Sequence, residues 1–436
     1  MKKSNYKSQS IIIQTVLWLT ITVVGHSQDL NQGALDSLYA HYQNSISNKT
    51  LAGVESLLIV NDRVVWHQAQ GYQDVSTEKA LEPNSIFYIQ SMTKPIMSVA
   101  IMQIVERGII NLNDTIEIYI PEAKHLRVAV DPDLGLDSPT QKINRSITIR
   151  DLLTHTSGLS HGLRDSKLDQ QLFEALYHET LNYRLHNTVE DRVLTLLSFP
   201  LVAQPGAKWY YSAGADVLAL ILERVTKESI SNYLSENIFD PLEMHDTGYN
   251  LNALQSQRVM KLHSRDENNK VMRHKHQVPT SGNTVFGGTH GLFSTADNYA
   301  KFCLMILHNG SWKGTRILKA ETVKNIRTNH TQNLYNEPGV GFGFGFSVIL
   351  NPDKMDRPGG VGQLQWGGYF STHFFIDPEK KAIGITLTQQ MPGGDNIASP
   401  FQNYTYKALD KVTVRDTQTP SCPRTFITCW SEKIRY

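Results

Sequence analysis

The stretch "IQSMTKPIM", residues 89–97, places a serine and a lysine three positions apart, Ser91 and Lys94. A serine hydroxyl is a poor nucleophile at neutral pH; it needs a base within hydrogen-bond reach and a pair of donors to receive a developing oxyanion. Residues i and i+3 share a helix face, and the positive end of a helix dipole favours an alkoxide. Lysine serves as a base only when its pKa is lowered, which burial under an apolar helix achieves. The spacing alone decides nothing, because Ser4 and Lys7, and Ser76 and Lys79, repeat it. A helix-capping Ser91 with a solvated Lys94 is the competing reading.

Two further stretches bear on the choice. "QPGAKWYYSAGADVLALILERVT" (204–226) sets a Tyr-Tyr-Ser turn before an amphipathic helix, and "LQWGGYFSTHFFID" (364–377) sets two glycines where a strand begins. Glycines at a strand allow another group to come close to the backbone.

The elements that must position these residues are legible in outline. Leu35–Ser47 reads as a helix, and residues 56–72 read as a hairpin turning at Asn61-Asp62. Met92–Glu106 reads as a helix closing at Gly108, with Pro95 tolerable only in its first turn, which places Ser91 at the helix N-terminus. Helix patterns recur at 147–154, 168–186, 214–226 and 228–237, and strand character returns at 343–350 and 372–390, with a turn at Asp377-Pro378 and a last helix over Phe401–Leu409. A hairpin at the start and strands at the end therefore share one sheet around a mostly helical insertion. The expected division is a discontinuous sheet domain, 28–85 with 290–411, and a helical domain, 86–289, that carries the nucleophile. Residues 412–436 match neither pattern.

At 436 residues, the chain is too long for one simple core. Forty-two basic against forty-one acidic residues leave no field for nucleic acid or an anionic membrane surface, so small or neutral partners are expected. Lys2, Lys3 and Lys7 before an apolar run, Ile11–Val24, read as a signal peptide over residues 1–27 and imply a periplasmic or secreted protein with no stable membrane span once it is removed. Cys303 reads as a buried small hydrophobe, while Cys422 and Cys429 can form a short disulfide in an oxidising compartment. His274-Lys275-His276 has ligand-like spacing but no accompanying Cys, Asp or Glu cluster, so neither metal nor cofactor is expected.

Taken together, Ser91-Met92-Thr93-Lys94, Tyr211-Ser212-Ala213 and Trp366-Gly367-Gly368 resemble the three active-site motifs of the serine β-lactamase and penicillin-binding-protein superfamily, in the branch holding class C β-lactamases and class VIII carboxylesterases. "LLTHTSGL" (152–159), "PLEMHDTGY" (241–249), "GGTHGLFSTADNYAKF" (287–302) and "GFGFGFSV" (341–348) look like landmarks of the same family, and the resemblance covers roughly residues 34–410. It implies an α+β fold of the β-lactamase/transpeptidase type, an antiparallel sheet flanked by helices. It further implies Ser91 as nucleophile, Lys94 as its base, Tyr211 as the second proton-transfer group, and an oxyanion hole formed by the amides of Ser91 and Tyr369. By family position His155 is structural, and Tyr210 is a packed aromatic.

Two departures from the family bear on substrate. Its second motif usually ends in asparagine, where this chain has Ala213, and its third usually begins with lysine or histidine, where this chain has Trp366. Both losses remove polar recognition and leave the nucleophile machinery intact. The reading is a serine hydrolase for short-chain or apolar esters, with Trp366, Gly367, Gly368, Phe370 and Ala213 at the substrate, and Tyr369 and Trp209 as further candidates to line an acyl or alcohol pocket. A β-lactamase or D-amino-acid peptidase acting on cell-wall-like amides is the alternative, and a non-catalytic binding protein on the same fold is the alternative of another class.

Overall fold

The computed structural model describes residues 30–177, 185–391 and 397–410. The signal segment, residues 178–184 of the 168–186 helix pattern, and the tail with Cys422 and Cys429 lie outside the described residues. Within Asn31–Asp410 the fold is α+β. An eight-stranded sheet is built from β1 (Gly53–Val60), β2 (Arg63–Asp74) and β3 (Lys79–Ala80) at the start of the chain, and from β4 (Val340–Phe342), β5 (Ser347–Ile349), β6 (Leu364–Gly368), β7 (Thr372–Asp377) and β8 (Ala382–Leu387) near its end. The order is β4-β5-β6-β7-β8-β1-β2-β3. The two halves meet where β1 pairs antiparallel with β8, from Glu55 opposite Leu387 to Val60 opposite Ala382.

The hairpin between β1 and β2 turns on Asn61 and Asp62, both at positive φ (48° and 64°). That is the mirror-image turn whose twist matches a right-handed strand pair, and Asn and Asp tolerate it best after glycine. Strands β1 and β8 are buried at every position rather than alternately, which signals cover on both faces. Successive side chains of β7 show the two layers. Phe374 packs on Tyr299 of the helix Ala296–Leu307, and Phe375 packs on Phe401 and Tyr406 of the last helix, Ala398–Leu409. Cys303 of the first of these helices is fully buried.

The sequence patterns mark most of these elements but not all. Residues 343–350 are not one strand: β4 and β5 form a hairpin folded back through Gly343–Phe346. Gly367 and Gly368 close β6 rather than open a strand. A helix at Val189–Leu197 escaped the pattern reading, although Thr188 caps it by accepting from the Asp191 amide.

Candidate active site

The serine helix, Thr93–Glu106, is buried through residues 93–104. A helix apolar on all sides belongs inside a protein. Its first turn is preceded by a 3-10 turn, Gln90–Met92, so Ser91 sits just ahead of the α-helix and Pro95 within its first turn, where no intrahelical N–H is lost. Gln90 adopts positive φ (48°), uncommon for a non-glycine residue and found at positions that the surrounding structure over-determines.

Three segments converge on this turn. The ribbon pairing Phe87–Tyr88 with Phe293–Ser294 brings the loop 287–291 alongside, and the Ile89 amide donates to the Leu292 carbonyl at 3.0 Å. The end of β6 passes so close that a Cβ on Gly368 would lie 2.5 Å from the Ile89 carbonyl oxygen, so only glycine admits this approach and puts Tyr369 beside Ser91. The turn 210–213 leads into the helix Gly214–Thr226 and delivers Tyr211.

The side chains meet at the serine oxygen. Lys94 Nζ lies 3.2 Å from Ser91 Oγ and donates to the Thr289 carbonyl at 3.0 Å. The Tyr211 hydroxyl donates to the same Oγ at 2.8 Å, and its ring lies 4.5 Å under the lysine nitrogen. Lys94 is 2 % exposed. Burial drives its pKa down to about 7, opposed by the Asp216 carboxylate and reinforced by the Arg192 guanidinium. A large fraction of Lys94 is then a neutral amine at neutral pH, able to take a proton. Burial pushes the Tyr211 phenol up, so it remains protonated and a donor. His155 packs against the Tyr211 ring and takes up the Ser212 hydroxyl and amide at Nδ1, consistent with a structural histidine. The Tyr210 hydroxyl donates to buried Asp169 and stays out of the cleft.

Above the serine opens a cleft of about 270 Å³ whose walls include Trp366, Gly367, Gly368 and Tyr369. The Trp366 ring lies 5.6 Å from that of Tyr211. Three residues expected at or beside the substrate, Ala213, Phe370 and Trp209, are placed elsewhere. Ala213 is fully buried in the main core, where it precedes the helix Gly214–Thr226 and its methyl packs inward. Phe370, 1 % exposed, packs with Ile86, Tyr88 and Leu251 in a separate small core, while the neighbouring Tyr369 is 44 % exposed and lines the cleft. Trp209 stacks behind Tyr211 at 6.2 Å and is not part of the cleft wall.

The cleft also holds His161, Tyr177 and His290, which sequence reasoning did not single out. His161 stacks on both Tyr211 and Tyr177 and meets the Tyr177 hydroxyl through Nδ1 at 2.9 Å; His290 meets the Tyr88 hydroxyl at 3.2 Å. Burial, with the Lys94 charge adding, holds His155, His161 and His290 well below the usual imidazole range, so all three are neutral. His290 stood inside the quoted landmark 287–302, and His161 just past 152–159; an isolated buried histidine carries no periodic signal. His274 and His276 bond each other locally, through Nδ1 of one and the carbonyl of the other.

A family profile described as Beta-lactamase matches residues 35–404. The chain belongs to the beta-lactamase family. Within that family it is 30 % identical over 374 residues to an uncharacterised protein of Mycobacterium tuberculosis, covering 82 % of this chain and 90 % of that one. It is 27 % identical over 382 residues to a lovastatin esterase of Penicillium rubens, covering 80 % and 91 %. Among solved structures it resembles EstCE1, described as a hydrolase with promiscuous acyltransferase activity, with a TM-score of 0.71 at 22 % identity, covering 87 % of this chain and 98 % of that one. The beta-lactamase fold here thus comes with esterase and acyltransferase relatives.

Proposed function

We propose that this member of the beta-lactamase family is a carboxylesterase for short-chain or apolar esters that works through an acyl-enzyme at Ser91. In this reading neutral Lys94 accepts the Ser91 proton as Oγ attacks the ester carbonyl, and the amides of Ser91 and Tyr369 face the oxyanion. Tyr211 passes a proton to the departing alkoxide, leaving an acyl-serine and a free alcohol. Water then enters the cleft and reverses the proton path, releasing the carboxylic acid and restoring Ser91. Export to the periplasm or medium belongs to the same proposal and rests on residues 1–27.

The observation that carries the reading is the serine oxygen held between a buried, pKa-lowered amine at 3.2 Å and a protonated phenol at 2.8 Å, at the foot of an aromatic-walled cleft. Trp366 supplies no charge for a substrate carboxylate, and Ala213 supplies no amide to the cleft, so cell-wall-like amides and β-lactams are disfavoured. The test is turnover of p-nitrophenyl esters of increasing acyl length by the full chain, beside nitrocefin. Butyrate turned over well above nitrocefin supports the esterase. Nitrocefin as the better substrate, or no ester turnover, removes it. Added short alcohols that divert the acyl group into new esters would identify acyl transfer as the second outcome of the same intermediate.

A further inference from the structure

Resting on this reading of Ser91 and Lys94, we propose that the buried Arg192–Asp216 ion pair positions Lys94 through the loop 287–290. Asp216 fixes the Thr289 amide, and the Thr289 carbonyl fixes the lysine amine against the serine.

Every link is a short contact. Arg192 Nε donates to Asp216 Oδ2 at 2.8 Å, with both side chains 1 % exposed. The other carboxylate oxygen, Oδ1, accepts from the Thr289 amide at 2.8 Å, and the Thr289 carbonyl accepts from Lys94 at 3.0 Å. Arg192 is itself clamped: Nη1 donates to the Leu176 carbonyl at 2.7 Å, and the guanidinium lies 4.6 Å from the Tyr177 ring centre. The loop is pressed onto this carboxylate. A Cβ on Gly287 would stand 2.7 Å from Asp216 Oδ1, and one on Gly288 would stand 2.1 Å from the Ala215 carbonyl oxygen. The Tyr249 hydroxyl, donating to the Gly287 carbonyl at 2.7 Å, pins the loop from its other side.

Stability alone gives little reason for such a pair, since well-packed apolar residues often replace a buried ion pair at no loss. An apolar pair could not hold the Thr289 amide, and it could not place two opposed charges near Lys94. The other titratable groups around the lysine carry no charge at neutral pH. Burial keeps His155, His161 and His290 neutral and keeps the phenols of Tyr88, Tyr177 and Tyr211 protonated. Asp216 and Arg192 are therefore the charges that pull the lysine's proton affinity, in opposite directions.

The experiment follows kcat/KM for p-nitrophenyl butyrate against pH in the full chain and in Asp216→Asn, Arg192→Met, Arg192→Lys and Gly287→Ala. The rate of Ser91 labelling by a fluorophosphonate is followed alongside. Removing the carboxylate moves the acidic limb to lower pH, and removing the guanidinium moves it to higher pH, each by roughly 0.5 pH unit or more. Arg192→Lys returns the limb toward the wild-type position. Gly287→Ala keeps both charges, displaces Asp216 from the Thr289 amide, and lowers kcat by about tenfold or more. A merely structural pair would lower rates without moving the limb in opposite directions. Folded charge variants whose limbs coincide with the wild type, or a Gly287→Ala enzyme with wild-type kcat, overturn the proposal. Labelling without ester turnover removes the esterase reading alone, and the labelling profiles still decide the positioning role. A wild-type protein that neither labels nor turns over removes both.

Discussion

Tyr211 donates its hydroxyl to Ser91 Oγ at 2.8 Å while its ring lies 4.5 Å beneath Lys94 Nζ, so one aromatic side chain touches both the serine oxygen and the lysine amine. The phenol is held in place by packing rather than by its hydroxyl, since His155, His161 and Trp366 all lie against the ring. Removing the oxygen alone should leave this packing intact. Tyr211→Phe is expected to lower kcat for ester hydrolysis by about 10²–10⁴-fold, the usual size of a lost proton-transfer group, with an unchanged melting temperature. Steady-state kinetics with a thermal melt check it. An active Phe variant would remove Tyr211 from the proton path.

The acidic limb of the rate profile follows from Lys94. In the proposed mechanism the base form is the neutral amine, and burial lowers its pKa to about 7. Activity should therefore rise with pH through about 7 and level off above it. A limb at the unperturbed lysine value of about 10.4 would mean that the amine is not buried in the working enzyme.

The same burial carries a stability cost. The folded pKa lies below the unfolded one, so between about pH 7 and about 10 the unfolded chain binds a proton that the folded chain does not. In that window stability rises with pH, and below pH 7 the group contributes no further dependence. Replacing Lys94 with methionine should raise stability by roughly 3 kcal/mol near pH 8 and flatten the pH dependence in this window, while abolishing turnover. Urea melts at several pH values measure it; equal slopes in both proteins would contradict it.

How much of this was written in the chain depends on the kind of signal. The meeting of Ser91, Lys94 and Tyr211 was legible from three motifs that jointly resemble a known family, since the Ser91–Lys94 spacing recurs elsewhere in the chain, and the joining of β1 with β8 was legible because both hairpins carry turn residues between apolar runs. Periodicity does not say which way a side chain faces inside an irregular turn. Ala213 and Phe370 were assigned to the substrate by their place in or beside the family motifs, while one is fully buried in the main core and the other in a separate small core. His161, Tyr177 and His290 become cleft walls only through contacts across long sequence separations.

Ala213 gives a direct test of that correction. Its side chain has no access to the cleft, so Ala213→Asn would bury an amide in the main apolar core rather than offer it to a substrate. The variant should lose about 1–3 kcal/mol of stability, read by chemical denaturation, and gain no nitrocefin hydrolysis. A stable variant with new β-lactam turnover would contradict the placement.

The central claim is a covalent intermediate on one named oxygen. The decisive measurement is mass spectrometry of the full chain quenched during turnover of p-nitrophenyl butyrate, with the modified peptide mapped, beside Ser91→Ala. The account predicts a butyryl adduct on the peptide carrying Ser91, absent from the alanine variant, which also turns over no ester. An adduct on another residue, or undiminished hydrolysis by Ser91→Ala, would contradict it.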